Sequence, residues 1–138
     1  MRPTPDSRPA VALTLTLLAT GCGRPPEAPP PDTGSREAAR AYFTAIARRD
    51  WPAALDALDP DSRRRHTAAS FAKAAQAYRQ RLGFDADGVQ VRACEEHGDG
   101  ATAHFVLTGK GPGRHQYRDA VTLRRTGAGW RVVLPTTF

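Results

Sequence analysis

The strongest constraint on this chain is a change of hydrophobic period at Gly83. Before it, apolar residues recur at three- to four-residue spacing; after it, they recur at every second position. The first spacing gathers side chains on one face of a helix, the second on one face of a strand. Helices therefore come first and strands follow. Each group exposes an apolar face that the other must cover, which predicts an α+β domain of N-terminal helices packed on an antiparallel sheet.

In the helical half, Ala39, Tyr42, Phe43, Ile46 and Ala47 form the first stripe, with Arg36, Arg40, Arg48 and Arg49 off it. Ser35 is the expected N-cap, and Glu37 suits the first turn. Asp50 is expected to cap a short second helix with Pro52 in its first turn, and Asp59-Pro60 to stop it. One further turn is expected over 61–66. Thr67 then caps a longer helix whose apolar face is Phe71, Ala74, Ala75, Tyr78 and Leu82, and Gly83 ends it. In the strand half, four runs alternate: Val89-Val91-Ala93, Ala101-Ala103-Phe105-Leu107, Tyr117-Asp119-Val121-Leu123 and Trp130-Val132-Leu134. Gly-rich turns of hairpin length separate them, which makes a four-stranded antiparallel meander.

The segment ahead of this domain reads differently. Arg2 and Arg8 form a short positive start, diluted by Asp6. Pro9 to Thr20 is apolar but shorter than the roughly 20 residues that span a bilayer. It matches the apolar region of a secretion signal. Ala19-Thr20-Gly21 then places small residues before Cys22, as the lipoprotein signal peptidase reads them; the position usually held by Leu is Ala19. The same residues satisfy the small-x-small rule of the ordinary signal peptidase. Both rules cut before Cys22. Residues 1–21 are read as a signal peptide and Cys22 as the acylated (palmitate-bearing) first residue of the mature chain. Pro25, Pro26, Pro29, Pro30 and Pro31 make residues 22–34 a semi-rigid extended tether. Residues 35–138 are the folded domain. The expected partner of Cys22 is membrane lipid, with the domain on the extracytoplasmic side of the cell membrane or the outer membrane. Cys94 is then left as a small hydrophobe; were Cys22 bare, a Cys22–Cys94 disulfide is the alternative.

Charge narrows the function classes. The chain carries 20 Lys+Arg against 14 Asp+Glu, a net +6. The arginines are scattered, without the paired aromatic and basic motif of RNA binders, so no nucleic-acid partner is expected. Attraction to anionic headgroups is the more natural use of the charge. The one contiguous run, Arg63-Arg64-Arg65, is a candidate basic patch for lipid, peptidoglycan or an acidic partner, or else a solvated helix end. Catalytic chemistry has one candidate constellation. His115, Tyr117 and Asp119 share a strand face with Val121 and Leu123, and a buried carboxylate near Tyr and His suits a general base. The plainer reading puts His115 at an exposed rim, Tyr117 over the core and Asp119 beside an arginine. No histidine has metal-ligand spacing with a carboxylate or Cys, so no metal and no cofactor is expected.

Three segments carry a family resemblance. Ala39-Arg40-Ala41-Tyr42-Phe43, Arg49-Asp50-Trp51-Pro52-Ala53-Ala54-Leu55 and the closing Gly129-Trp130-Arg131-Val132 resemble the nuclear transport factor 2-like superfamily. In particular they resemble its branch of small, uncharacterised bacterial lipoproteins. The resemblance implies helices folded on a strongly curved four-stranded sheet, a cone with an internal pocket. That superfamily holds isomerases, hydrolases, cyclases and many binding modules, so the fold does not select an activity. The expected function is a non-enzymatic module of the cell envelope that binds a small apolar ligand or an envelope protein. The alternatives are a pocket enzyme using Asp119 as acid/base and an immunity-type interaction protein. A homodimer through the sheet is compatible with the resemblance.

Overall fold

Helix gives way to sheet at the period change. The computed structural model describes residues 32–113 and 115–136. The expected signal 1–21, Cys22 and the tether up to Pro31 lie outside the described residues. Among those described, the helices are α1 (Ser35–Arg48), α2 (Trp51–Asp56), α3 (Pro60–Arg64) and α4 (Ala68–Arg81). The strands are β1 (Asp85–His97), β2 (Gly100–Lys110), β3 (Gln116–Thr126) and β4 (Gly129–Val133). They pair in chain order, every pair antiparallel. The expected α+β meander is the observed architecture.

α1 buries Ala39, Tyr42, Phe43 and Ile46, the stripe read from the sequence. Its start departs from expectation. The N-cap is Gly34, at φ 110°, and Ser35 is the first helical residue. The buried Ser35 hydroxyl donates instead to Glu96 Oε1 in β1, at 2.5 Å. A carboxylate delivered by the sheet is a stronger acceptor than a local turn can offer. Asp32 Oδ1 takes over at the helix start, accepting from the N–H of Gly34 at 2.8 Å and of Arg36 at 3.4 Å. The starts of α2 and α4 are as expected. Asp50 accepts from Ala53 N–H at 3.2 Å, and Thr67 and Ser70 form a reciprocal capping box on α4. Asp59, expected as a stop, also starts α3 by accepting from Ser62 N–H at 3.0 Å.

β1 is longer than its alternation suggests, because it begins at Asp85, and it is irregular at two points. Its pairing with β2 slips between Ala86 and Gly88 and again between Val91 and Ala93. The second slip inserts Arg92 as an extra residue, so the predicted inner row Val89-Val91-Ala93 breaks after Val91. Ala93 is exposed, while Cys94 and Glu96 turn toward α1. A bulge bends its strand and increases its twist, so these two shifts bend β1.

The inner rows of β2 and β4 follow expectation. Ala101, Ala103, Phe105 and Leu107 are buried, as are Trp130, Val132 and the following Leu134. Phe43 of α1 stacks on Phe105 with ring centroids 3.8 Å apart. The free edge of β4 is covered by the α2–α3 link. Leu58 bridges Val132 in parallel, Asp59 N–H donates to Val132 O at 2.8 Å, and Val132 N–H donates to Ala57 O at 2.9 Å. Pairing this edge removes a template for aggregation.

Candidate functional site

β4 is the short strand, and its shortness opens the site. It pairs only with Thr122 to Thr126 of β3. The first half of β3 therefore has no β4 neighbour, and the chain leaves β4 as Leu134-Pro135. Under this gap lies a cavity of about 270 Å³, lined by Tyr42, Phe43, Tyr78, Arg81, Leu82, Phe105, Tyr117, Asp119, Val121 and Leu134 among others. Its floor is Phe43 against Phe105. Its walls are α4 on one side and β3 on the other.

Two of the three candidate catalytic residues meet here. Tyr117 and Asp119 sit two apart on β3, on the same face. The Tyr117 hydroxyl donates to Asp119 Oδ2 at 2.7 Å, and Ala120 N–H donates to Asp119 Oδ1 at 2.8 Å. Donating to that carboxylate, together with partial burial, holds the Tyr117 phenol above its ordinary pKa. Burial likewise raises Tyr42 and Tyr78, so all three phenols are neutral hydroxyls at physiological pH. The Tyr78 and Tyr117 rings meet edge to face at 6.3 Å. Asp119 itself is exposed, at the mouth. His115, the third candidate, precedes β3, is exposed, and does not line this cavity.

Arg81 and Tyr78 line the same cavity from α4, and the sequence carried no signal for their part in it. Tyr78 reads as one more apolar-stripe residue, and Arg81 as one more arginine at a helix end. Only the fold brings them to the same cavity as Asp119.

The Arg63-Arg64-Arg65 run is engaged within the fold. Arg63 pairs with Asp56 at 2.8 Å and Arg64 with Asp61. Arg65 donates to Leu134 O at 2.7 Å and to Ser62 Oγ at 3.1 Å, and Ser62 Oγ accepts from Leu134 N–H at 2.9 Å. Arg65 thus pins the segment that leaves β4 beside the cavity. His66 lies edge-on to Phe71, while His97 and His104 are exposed. Among the described residues no three His, Cys, Asp or Glu side chains are grouped to hold a metal ion.

A second polar cluster lies at the far end of the strands. Glu96 accepts from Ser35 Oγ, from Thr33 N–H at 3.0 Å and from Thr33 Oγ1 at 2.8 Å. Thr33 Oγ1 in turn accepts from Arg125 at 2.5 Å and from Trp130 Nε1 at 3.0 Å, and the Arg125 guanidinium lies 4.7 Å over the Trp130 ring. Burial raises the Glu96 pKa, but the Ser35 and Thr33 hydrogen bonds outweigh it and bring the carboxyl down to about 2. Cys94, 2.9 Å from Ser35 Oγ, is held above its ordinary pKa mainly by burial. A protonated thiol is a poor nucleophile. This cluster fastens residues 33–35 to the sheet.

No family model and no curated protein matches the sequence. Solved structures match the shape. A candidate NTF2-like transpeptidase from Campylobacter jejuni superposes with a TM-score of 0.56 over 72% of this chain and 96% of its own, at 12% identity. The fold is nuclear transport factor 2-like. The chain also resembles a SEC-C motif containing protein from Rhodopseudomonas palustris, at TM-score 0.54, 17% identity and 70% and 73% coverage. A SEC-C motif containing protein from Psychrobacter arcticus matches at TM-score 0.56 and 17% identity over 72% of this chain. The match spans 58% of that protein, less than two thirds of its length. At such identities the likeness is one of fold.

Proposed function

We propose that this chain is an exported lipoprotein, anchored through an acylated Cys22, whose NTF2-like domain is a non-enzymatic binding module for a small, largely apolar ligand. The observation that carries the binding part is the cavity of about 270 Å³ behind the short β4. Drug-sized ligand sites run from roughly 300 Å³ upward, and a cavity of roughly 150 Å³ holds benzene. The cavity therefore suits a compound of one or two rings and is too small for a phospholipid. The lipoprotein part rests on the sequence before Asp32: the apolar run, the small residues before Cys22 and the proline tether.

The enzyme reading is supported by one contact, the Tyr117 hydroxyl on Asp119. General-base work near neutral pH favours a carboxylate withdrawn from water so that its pKa climbs. Asp119 is exposed, and this favours binding over catalysis. An interaction module calls for an exposed apolar patch. The outer row of the sheet instead presents Arg92, His104, Arg118 and Thr122 to solvent.

Two measurements test the proposal. Saturating toluene should raise Tm by mass action, and filling the cavity with Val121→Trp should abolish that rise while circular dichroism stays unchanged. No rise in the parent chain would end the binding reading. Intact mass spectrometry of membrane-fraction protein should show residues 22–138 with a di- or triacylated Cys22; a retained Met1 or a bare Cys22 would refute the anchor.

A further inference from the structure

The mouth of the cavity carries one charge of each sign. Arg81 comes from the last turn of α4 and Asp119 from β3, and both line the opening. Among the described residues neither belongs to an ion pair, with the other or with a third group. Most other arginines of the domain are engaged, as Arg36 is with Asp32, Arg49 with Asp85 and Arg125 with Glu96. Asp119 is also fixed in orientation by the hydrogen bonds from Tyr117 and Ala120. A cation and an oriented anion thus stand apart at the rim of one apolar cavity.

From this arrangement, and resting on the binding reading above, we infer that the cavity takes a free α-amino acid with an aromatic or large branched side chain. The ligand carboxylate meets Arg81, its ammonium meets Asp119, and its side chain enters between Phe105, Val121 and Leu134. An α-amino acid carries an ammonium and a carboxylate on one carbon, so one small ligand satisfies both rim charges at once. An amine alone leaves Arg81 unmatched, and a carboxylate alone leaves Asp119 unmatched. The volume agrees. About 270 Å³ exceeds the roughly 150 Å³ that holds a benzene ring, leaving room for the ring's attachment to the charged head. A peptide carries the two charges at opposite ends and so presents only one of them to the mouth.

Calorimetric titration of the full chain tests this with four ligands: L-phenylalanine, 3-phenylpropionate without the ammonium, 2-phenylethylamine without the carboxylate, and toluene with neither. L-phenylalanine should bind most tightly, and loss of either charge should weaken binding about fivefold, the scale of a solvent-exposed charge contact. Asp119→Asn should lower phenylalanine affinity toward that of 3-phenylpropionate without weakening 3-phenylpropionate itself, whose own negative charge the carboxylate does not attract. Arg81→Gln should do the same with respect to 2-phenylethylamine. Both side chains are exposed, so both variants should fold, which circular dichroism checks. If phenylalanine binds no better than toluene, the amino-acid inference is overturned and the apolar-binding reading survives. If none of the four binds, both fall.

Discussion

Arg79 is a buried arginine that ties α4 to the end of α1 and the start of β1. It lies four residues after Ala75, on the apolar stripe of α4, and is buried. Its guanidinium donates to Ile46 O at 3.1 Å, Ala47 O at 2.9 Å and Ala86 O at 3.1 Å, and it pairs with Asp85. Two of those carbonyls end α1, where a helix leaves acceptors unsatisfied and its dipole favours a cation. A burial that would be costly for a lone charge is thus compensated by three carbonyls and a carboxylate. Arg79→Met should lower stability by about 2–4 kcal/mol, because it removes a donor from three carbonyls, two of them in buried contacts, and the partner of Asp85. Arg79→Lys should recover only part of this, since an ammonium lacks the planar fork. Urea unfolding followed by circular dichroism measures both.

At the scale of elements, local signals and tertiary contacts can be separated on two hydroxyls. Thr67 and Ser35 look alike in the sequence, each a small hydroxyl residue ahead of a helical stripe. Thr67 does what its position suggests, through the capping box on α4. Thr67→Ala should therefore cost about 1 kcal/mol, the usual worth of a cap, with no dependence on pH from 5 to 8 in urea titrations. Ser35 serves the sheet instead. The same contrast runs through β1. Alternation located the strand, but the parity of its second half depends on the bulge at Arg92, and alternation carries no mark of an inserted residue. Cys94 consequently changed faces relative to the alternation, and Glu96 lies on the same side as Cys94.

For the whole molecule, the cluster around Glu96 joins residues 33–35 to β1, and through Arg125 and Trp130 to β3 and β4. It also sets an acid response. The folded pKa of Glu96 is about 2 against an ordinary 4.5. The folded state binds its proton less readily than the unfolded state, so the stabilisation is fully present above pH 4.5 and is lost as pH falls toward 2. Glu96→Gln should lower stability at pH 7 and flatten the fall across that window. An unchanged acid slope, read as urea midpoint against pH, would show that Glu96 does not set it.

By itself the sequence determined the order of helices and strands, the hairpin meander, the starts of α2 and α4 and the buried rows of β2 and β4. These rest on period, caps and turns, which are decided among residues within a few positions of one another. The tertiary structure alone decided which polar groups meet. It placed Ser35 on Glu96, Arg79 on the end of α1, Arg65 on Leu134, and Arg81 across the cavity mouth from Asp119. Of the candidate site, Tyr117 and Asp119 were legible because alternation sets their shared face. Their partners across the cavity were not, because those contacts join α4 to β3, some forty residues apart by sequence. Such pairings follow from how the curved sheet and helices pack, and from where β4 stops short, which no local spacing records.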